Sequence, residues 1–541
     1  MPESFEAFLL TCRTLHDCAK PLVPLYKSRR AAYSTLEVDA RTDRRGILLC
    51  LDRIAQNPDV ARYATTANLS FVATTTKACR PSRALRQTTP FLEFDRLKDD
   101  HEALCDIEML IERSPCLRAA GIDTNAWGRQ MLDPIFDVPQ DQCDCSFESI
   151  QSQVFILSML KNIRTLRIEV GRTLAATAEP NGPQAAVLAA IKAAQAQNPF
   201  DAPLGQLKTL LSFPPVDYDT WKHFEAMRLF LTIPTLTEVY ASSFLALEGR
   251  SQTIFSWPQA MPVHHNLRRI ELAASCFDDI GLAPLLAGTP ALETFKFGYA
   301  IKHHGQGYDY NPAEMFETLR EHVGGHLKHL AMTLEPHFFG TIVNGVVDLH
   351  GFTSLESLEI DYRMFYGPSI ESGERNGSTD PTLPKDGRGA IWTPSNIPPL
   401  TEILPPQLQK LEVFLGESPS AGSGDRFDQD ASLRALFSIP DIDDLSSLTT
   451  SSVEASPATA TAAAREGPFA SLPAASCTIR CVNRTLTAER PGDVFDLRQG
   501  WTKPDQIRTY LEAGGVTVHV NSPEDPTWVC EMKERFKIET W

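Results

Sequence analysis

Apolar residues recur at a regular spacing along this chain. At Leu267, Ile270 and Leu272 they occupy the first, fourth and sixth positions of a six-residue segment. The same spacing returns at later places: Leu292, Phe295, Phe297; Leu327, Leu330, Met332; Leu355, Leu358, Ile360; and Leu408, Leu411, Val413. Because successive side chains of a strand point to opposite faces, each copy predicts a short strand with alternate side chains in a core.

Less regular copies extend the pattern towards the N-terminus. They are Ile163, Leu166, Ile168; Leu117, Ala120, Ile122; and Leu236, Val239, Ala241. Segments with helical periodicity precede several copies, at 100–114, 280–286 and 315–323, and residues 185–196 and 505–513 are also predicted to be helical. The predicted unit is therefore a helix, a tight turn and a strand.

A unit of this kind at L-x-x-L-x-L spacing resembles the leucine-rich repeat. Each unit leaves one apolar face unsatisfied, and stacking of the next unit buries it. The copies follow one another at unequal intervals, which surface insertions explain because long loops cost little free energy. We predict an α/β chain that folds as an irregular leucine-rich-repeat solenoid with a short N-terminal helical segment.

Shifts in composition divide the chain into four segments. Residues 1–30 form the helical segment, and residues 31–415 form the repeat array with an inserted loop at 367–400. Residues 416–476, rich in Ser, Thr, Ala and Pro, are predicted to be a largely disordered insertion around a short apolar segment at 433–439. Residues 477–541 are predicted to be a C-terminal repeat or capping unit, which ends in an amphipathic stretch from Trp528 to Ile538 and covers the end of the array as a whole.

Charge and hydropathy restrict the choice of partners. The formal net charge of -17 disfavours nucleic acid, since phosphate binding needs a concentrated basic surface. No apolar run approaches the length needed to span a bilayer, which disfavours a membrane. The N-terminus has no basic stretch ahead of its apolar residues, so a secretory signal is not expected. We expect a cytoplasmic or nuclear protein.

Residues 5–30 resemble the second half of an F-box motif. In that family a Leu-x-Cys-Arg/Lys-x-Leu/Trp helix is followed by an Ala and then by a Pro-Leu segment with an aromatic residue. The matching residues here are Leu10, Cys12, Arg13, Leu15, Ala19, Pro21, Leu22 and Tyr26. The segment 48–71 is similar to fungal F-box proteins with irregular repeats, through Leu48, Leu49, Leu51, Ile54, Asn57, Pro58, Ala61, Tyr63, Leu69 and Phe71.

The resemblance implies a substrate-recruiting role in a cullin-based ubiquitin ligase. Members of this family bind a Skp-type adaptor through the box and present protein substrates with the repeat domain. The adaptor-binding residues implied here are Leu9, Leu10, Cys12, Leu15, Ala19, Pro21 and Leu22. The chain departs from the family in one respect, because the Leu-Pro opening and first apolar helix of the box do not precede these residues. A plain N-terminal cap of the solenoid is the alternative interpretation.

In a repeat scaffold, the positions between the core residues of each strand point to solvent and are candidates for binding an unknown protein partner. Those we single out are Arg269, Glu271, Lys296, His329, Glu359, Asp361, Tyr362 and Glu412. Their mixture of both signs suits a protein better than a polyanion, although any solvated strand face has this composition. The aromatic cluster Tyr362, Phe365 and Tyr366 is either a binding anchor or packing under the adjacent loop.

Motifs for catalysis are missing from the sequence. There is no G-x-S-x-G elbow, phosphate-binding loop, H-E-x-x-H or dinucleotide fingerprint, and the close cysteine pairs at 143 and 145 and at 477 and 481 lack zinc-site partners. We therefore predict a non-enzymatic protein with no catalytic, cofactor-binding or metal-binding residues. Two alternatives remain beside the F-box-like adaptor: a repeat scaffold with no link to ubiquitin, and an enzyme whose site the motifs do not reveal.

Overall fold

The computed structural model describes residues 11–39, 46–70, 101–136, 150–169, 182–213, 221–247, 264–301, 310–335, 342–367, 393–415, 429–439, 476–482, 504–522 and 525–538. The chain forms two compact units. The first consists of Met1–Val216 and Lys222–Ala241, and the second of Asp217–Trp221 and Ser242–Trp541.

The described part of the first unit alternates helices with short parallel strands. Its helices are α1 (Arg13–Ala19), α2 (Val23–Tyr33), α3 (Gly46–Gln56), α4 (Asp59–Tyr63), α5 (His101–Glu112), α6 (Pro115–Ala119), α7 (Thr124–Phe136), α8 (Ile150–Leu157), α9 (Pro183–Gln197) and α10 (Arg228–Leu231), with 3-10 turns at Lys20–Leu22 and Phe224–Met227. Its strands are β1 (Thr35–Asp39), β2 (Thr66–Ser70), β3 (Thr165–Ile168), β4 (Thr209–Ser212), β5 (Lys222–His223) and β6 (Glu238–Ser242). Strands β1, β2, β3, β4 and β6 pair in that order, all parallel.

The second unit continues this succession of helix and strand. Its strands are β7 (Phe244–Ala246), β8 (Arg269–Phe277), β9 (Thr294–Tyr299), β10 (His329–Leu334), β11 (Ser357–Asp361), β12 (Lys410–Leu415), β13 (Ser476–Val482) and β14 (Thr517–Ser522). Its helices are α11 (Asp279–Ala287), α12 (Pro312–Val323), α13 (Leu400–Ile403), α14 (Gln429–Leu436), α15 (Pro504–Ala513) and α16 (Thr527–Phe536), with 3-10 turns at Tyr362–Phe365 and Pro394–Asn396. Strands β8 to β14 pair in chain order, all parallel, and β7 pairs with β8.

The apolar spacing explains the strands of the second unit. One ladder of side chains crosses five strands in register, and each member is at most 2% exposed: Ile270, Phe295, Leu330, Leu358 and Leu411. A second buried ladder lies two residues further along: Leu272, Phe297, Met332, Ile360 and Val413. The α/β class and the strands predicted at these five copies are confirmed.

The weaker copies of the pattern have mixed outcomes. Residues 163–168 and 236–241 do lead into β3 and β6. The copy at Leu117, Ala120 and Ile122 is wrong, because this segment forms α6 and a turn at Gly121, whose φ is +68°. Leu117 is buried, as the pattern requires, but it packs from a helix. Three apolar positions alone do not distinguish one turn of helix from a short strand.

The predicted helices are confirmed as α5, α9, α11, α12 and α15. Two of them begin at side-chain caps: Asp278 accepts a hydrogen bond from the backbone N–H of Gly281 at 2.6 Å, and Asn311 from that of Glu314 at 3.2 Å. The predicted inserted loop at 367–400 and insertion at 416–476 lie mostly outside the described residues. Within the insertion, α14 and the residues after it bury Leu433, Leu436, Phe437 and Ile439.

Candidate functional site

The strands of the second unit carry a second set of side chains, which alternate along each strand with the residues of the two apolar ladders. The first row consists of Arg269, Thr294, His329, Ser357 and Lys410, which are register partners at the start of their strands. The second row consists of Glu271, Lys296, Ala331, Glu359 and Glu412. We call the surface formed by these two rows, together with Gly298 and Thr333, the strand face.

The expectation that the strand face points to solvent is wrong for part of it. Glu271 is 3% exposed and Glu412 is 2% exposed, although both are charged residues between core positions. Arg269, Lys296, His329 and Glu359 are half-buried. The sequence therefore predicted that these residues share one surface, but it did not predict which element covers that surface.

The covering element is α16. Trp528 of α16 is fully buried, and its Nε1 donates a hydrogen bond to Oγ1 of Thr333 at 3.2 Å. The ring lies so close to Gly298 that a Cβ at that glycine would be 3.2 Å from Cζ2 of Trp528. This helix lies in the predicted amphipathic stretch from Trp528 to Ile538, and it contacts the strand face from β9 to β12.

The N-terminal end of α16 lies against carboxylates of the strand face. The Thr527 hydroxyl donates to Oε1 of Glu412, and the backbone N–H of Trp528 donates to Oε1 of Glu359 at 3.5 Å. Glu412 also pairs with Arg480 of β13 at 2.5 Å and with Lys410 at 3.5 Å. Two cations thus compensate the buried charge of Glu412.

A second group of charges lies one helical turn along α16. The Nζ of Lys296 lies 3.3 Å from Oε2 of Glu531 on α16 and 3.8 Å from Oε1 of Glu271. Glu271 also pairs with Arg269 at 2.8 Å. Lys296 thereby links the strand face to the helix through a charge pair, beside the buried ring of Trp528.

A cavity of about 250 Å³ remains open beside α16. Its walls combine both rows of the strand face with two residues of the helix: Arg269, Thr294, Lys296, His329, Leu330, Ala331, Ser357, Glu359, Lys410, Thr527 and Glu531. Burial raises the pKa of Glu359 to about 8, the nearby Glu412 carboxylate adds to the increase, and Lys296 opposes it. Burial lowers the pKa of His329. Both shifts favour the neutral forms of these side chains at this site.

Two of the predicted binding residues, Asp361 and Tyr362, belong to the interior instead. Asp361 is fully buried and binds Arg363, also fully buried, through Nε at 2.9 Å and a second nitrogen at 2.7 Å. Tyr362 is fully buried against Tyr366, with ring centroids 5.6 Å apart and the rings nearly perpendicular. The hydroxyl of Tyr366 bonds that of Ser432. Their assignment to the partner-binding surface is corrected, and packing accounts for the aromatic cluster.

The F-box-like segment forms α1, a 3-10 turn and α2. The Sγ of Cys12 caps α1 by accepting from the N–H of Leu15 at 3.4 Å. Ala19 is 8% exposed and so is not available for contact, whereas Leu22 is 54% exposed and Pro21 is also exposed. Leu25, which the motif comparison did not single out, is 51% exposed. Leu9 and Leu10 lie outside the described residues.

Contacts of α2 hold this segment to the rest of the first unit. Tyr26 is buried with its ring centroid 6.0 Å from that of Tyr63, and Arg29 pairs with Asp59 of α4 at 2.5 Å. The aromatic residue of the motif therefore packs inwards, while Leu22 and Leu25 remain in solvent.

Within the described ranges, no group of three or more His, Cys, Asp or Glu side chains is arranged to hold a metal ion. No helix among those described combines the length and apolar character needed to cross a membrane. Compared with known proteins, the chain matches no family model and no curated sequence.

Proposed function

We propose that this protein is a non-enzymatic, F-box-like leucine-rich-repeat protein that recruits a protein substrate to a cullin-based ubiquitin ligase. In this proposal the N-terminal helical segment binds a Skp-type adaptor, and the strand face binds the substrate. The cytoplasm or the nucleus is the proposed location. The observation that carries the adaptor role is the exposure of Leu22 and Leu25.

Exposed leucines in the F-box-like segment support adaptor binding for a physical reason. Leu22 and Leu25 each keep about half of their surface in water, although the neighbouring Tyr26 is buried. Because burying a whole leucine side chain contributes roughly 1.5–3 kcal/mol, a partner that buries the exposed half contributes about 1 kcal/mol for each residue. Two such residues on consecutive turns form an anchor for an apolar partner surface.

The strand face supports substrate binding because its chemistry suits a protein. The two rows bring basic and acidic side chains together in register, and Gly298 beside them leaves room for a large aromatic ring. Charged groups arranged around one aromatic contact are typical of protein interfaces.

The adaptor role is tested by measuring binding of a purified Skp-type adaptor to the full chain. We expect binding, and we expect Leu22→Asp together with Leu25→Asp to weaken it by at least roughly tenfold. Leu49→Asp is the matched control, because Leu49 is 39% exposed on α3 and lies outside the F-box-like segment. If the adaptor does not bind, or if all three substitutions act alike, the adaptor role is wrong. The protein would then be a scaffold with no link to ubiquitin.

A further inference from the structure

The surface beneath α16 differs from a core surface. On their apolar ladders the same strands present residues such as Ile270 and Leu411, which are fully buried. Towards α16 they present Glu271, Lys296 and Glu412. A helix that serves only as part of a core is normally covered by apolar groups, since buried charges need compensation. α16 buries Trp528 together with Val529 and Met532, and charge pairs lie around them. An apolar and aromatic centre with a polar rim has the composition of an interface between partners.

The strand face also supplies the cap that α16 lacks. Pro526 precedes the helix and offers no side-chain acceptor to its first N–H groups. The N–H of Trp528 and the hydroxyl of Thr527 instead donate to Glu359 and Glu412. Acceptors and negative charge near the start of a helix stabilise it. The carboxyl group of Glu359 supplies an acceptor and the Glu412 carboxylate supplies an acceptor with negative charge, so together they recognise the beginning of a helix.

We propose that α16 is an intramolecular ligand of the strand face, which binds a helical segment of the same chemistry from a partner protein when α16 is displaced. That segment begins with a hydroxyl residue followed by Trp and carries a carboxylate one turn later, as Thr527, Trp528 and Glu531 do. This inference rests on the proposed function, because it uses the same face for the substrate. Competition by α16 lowers the apparent affinity for the partner.

The charge pair between the face and the helix makes the proposal specific. Lys296 is the strand-face residue that meets Glu531, at 3.3 Å. Reversing the charge on one side should repel the helix, and reversing both should restore attraction. Lys328 provides the matched control, because it pairs with Glu293 at 3.2 Å and belongs to neither row of the strand face.

The test uses a fluorescent peptide with the sequence of residues 525–538 and the full chain. We expect the wild-type chain to bind this peptide weakly. Trp528→Ala weakens the attachment of α16 to the strand face, so we expect this variant to bind the peptide at least tenfold more tightly. Adding Lys296→Glu to that variant should abolish binding of the native peptide and restore binding of a peptide with Glu531→Lys; adding Lys328→Glu should change neither. Absence of binding to a folded Trp528→Ala chain overturns the proposal.

If Trp528→Ala does not fold, hydrogen exchange of the wild-type chain tests whether α16 can detach from the strand face. We expect the amides of α16 to exchange through a local opening while β9 to β11 stay protected. Exchange of α16 together with those strands would show that the helix is a permanent part of the core. The peptide assay contains no adaptor, so its outcome does not affect the adaptor measurement. If the adaptor binds and the peptide does not, the adaptor role stands and the proposal for α16 is wrong.

Discussion

The indole Nε1 of Trp528 donates to the hydroxyl of Thr333, which lies 195 residues earlier in the chain. We expect Trp528→Ala to lower the free energy of unfolding by about 3–5 kcal/mol, because a fully buried aromatic side chain is removed. Thr333→Val keeps the shape of its side chain and leaves the buried N–H without its acceptor, at a cost of about 1–3 kcal/mol. Urea unfolding followed by circular dichroism measures both. Equal losses in the two variants would contradict a dominant role for the ring itself.

Glu359 makes stability depend on pH. Its pKa is raised from 4.5 to about 8 in the folded chain, so between these values the folded protein holds a proton that the unfolded chain has released. Stability should therefore fall as pH rises through this window and level off above it. Glu359→Gln should remove the slope and stabilise the protein at the upper end.

The measurement is the urea midpoint from about pH 5 to about pH 9. Glu356→Gln removes the carboxylate that immediately precedes β11 and serves as the control, for which we expect the slope to persist. A slope that survives in Glu359→Gln would assign the pH dependence to another group. Lys296, Glu412 and Glu531 are the charged neighbours that affect the pKa of Glu359 in the folded chain.

Asp361 and Arg363 form a buried pair whose loss should be severe. Asp361→Ala leaves a fully buried guanidinium without its carboxylate, and we expect a loss of about 3–5 kcal/mol. Lys161 and Asp201 form an exposed pair at 3.0 Å, and Asp201→Ala should change stability little because water replaces the contact. Denaturant titration compares the two. A small effect of Asp361→Ala would show that water or another acceptor reaches Arg363.

Gly281 allows α11 to lie against β7. A Cβ there would be 2.2 Å from the carbonyl oxygen of Ala246, so Gly281→Ala must move the backbone and should cost roughly 1–3 kcal/mol. Gly325→Ala is the control, because no atom lies within 4 Å of a Cβ at that position and φ is not positive. Thermal unfolding of the two variants should differ clearly in midpoint. Similar midpoints would show that α11 shifts without cost.

The apolar spacing predicts the strands because it is a local property. Leu330 and Met332 lie two positions apart in a strand, so both point into the core regardless of the sequence elsewhere in the chain. For this reason β10 and its neighbours could be located from five short copies. The helices were predictable for the same reason. The copy at Leu117 failed because one turn of a helix places the same residues inwards.

The cover of the strand face could not be predicted in this way. The amphipathic pattern of residues 528–538 shows that this helix buries one side, but it does not say which surface receives that side. The relevant information is long-range: the fit of Trp528 over Gly298, and the match of Lys296 with Glu531. For the same reason Asp361 and Tyr362, which look like surface residues in the pattern, were misplaced.

The distance along the chain between α16 and its contacts has a consequence during synthesis. Glu412 precedes Thr527 by 115 residues, and Lys296 precedes Glu531 by 235. At translation rates of roughly 5–20 residues per second, the ribosome needs about 6–23 seconds to reach Thr527 after it has made Glu412. Over that interval the nascent chain carries the strand face without its own helix, and a partner of the kind proposed above would meet no competitor at the ribosome.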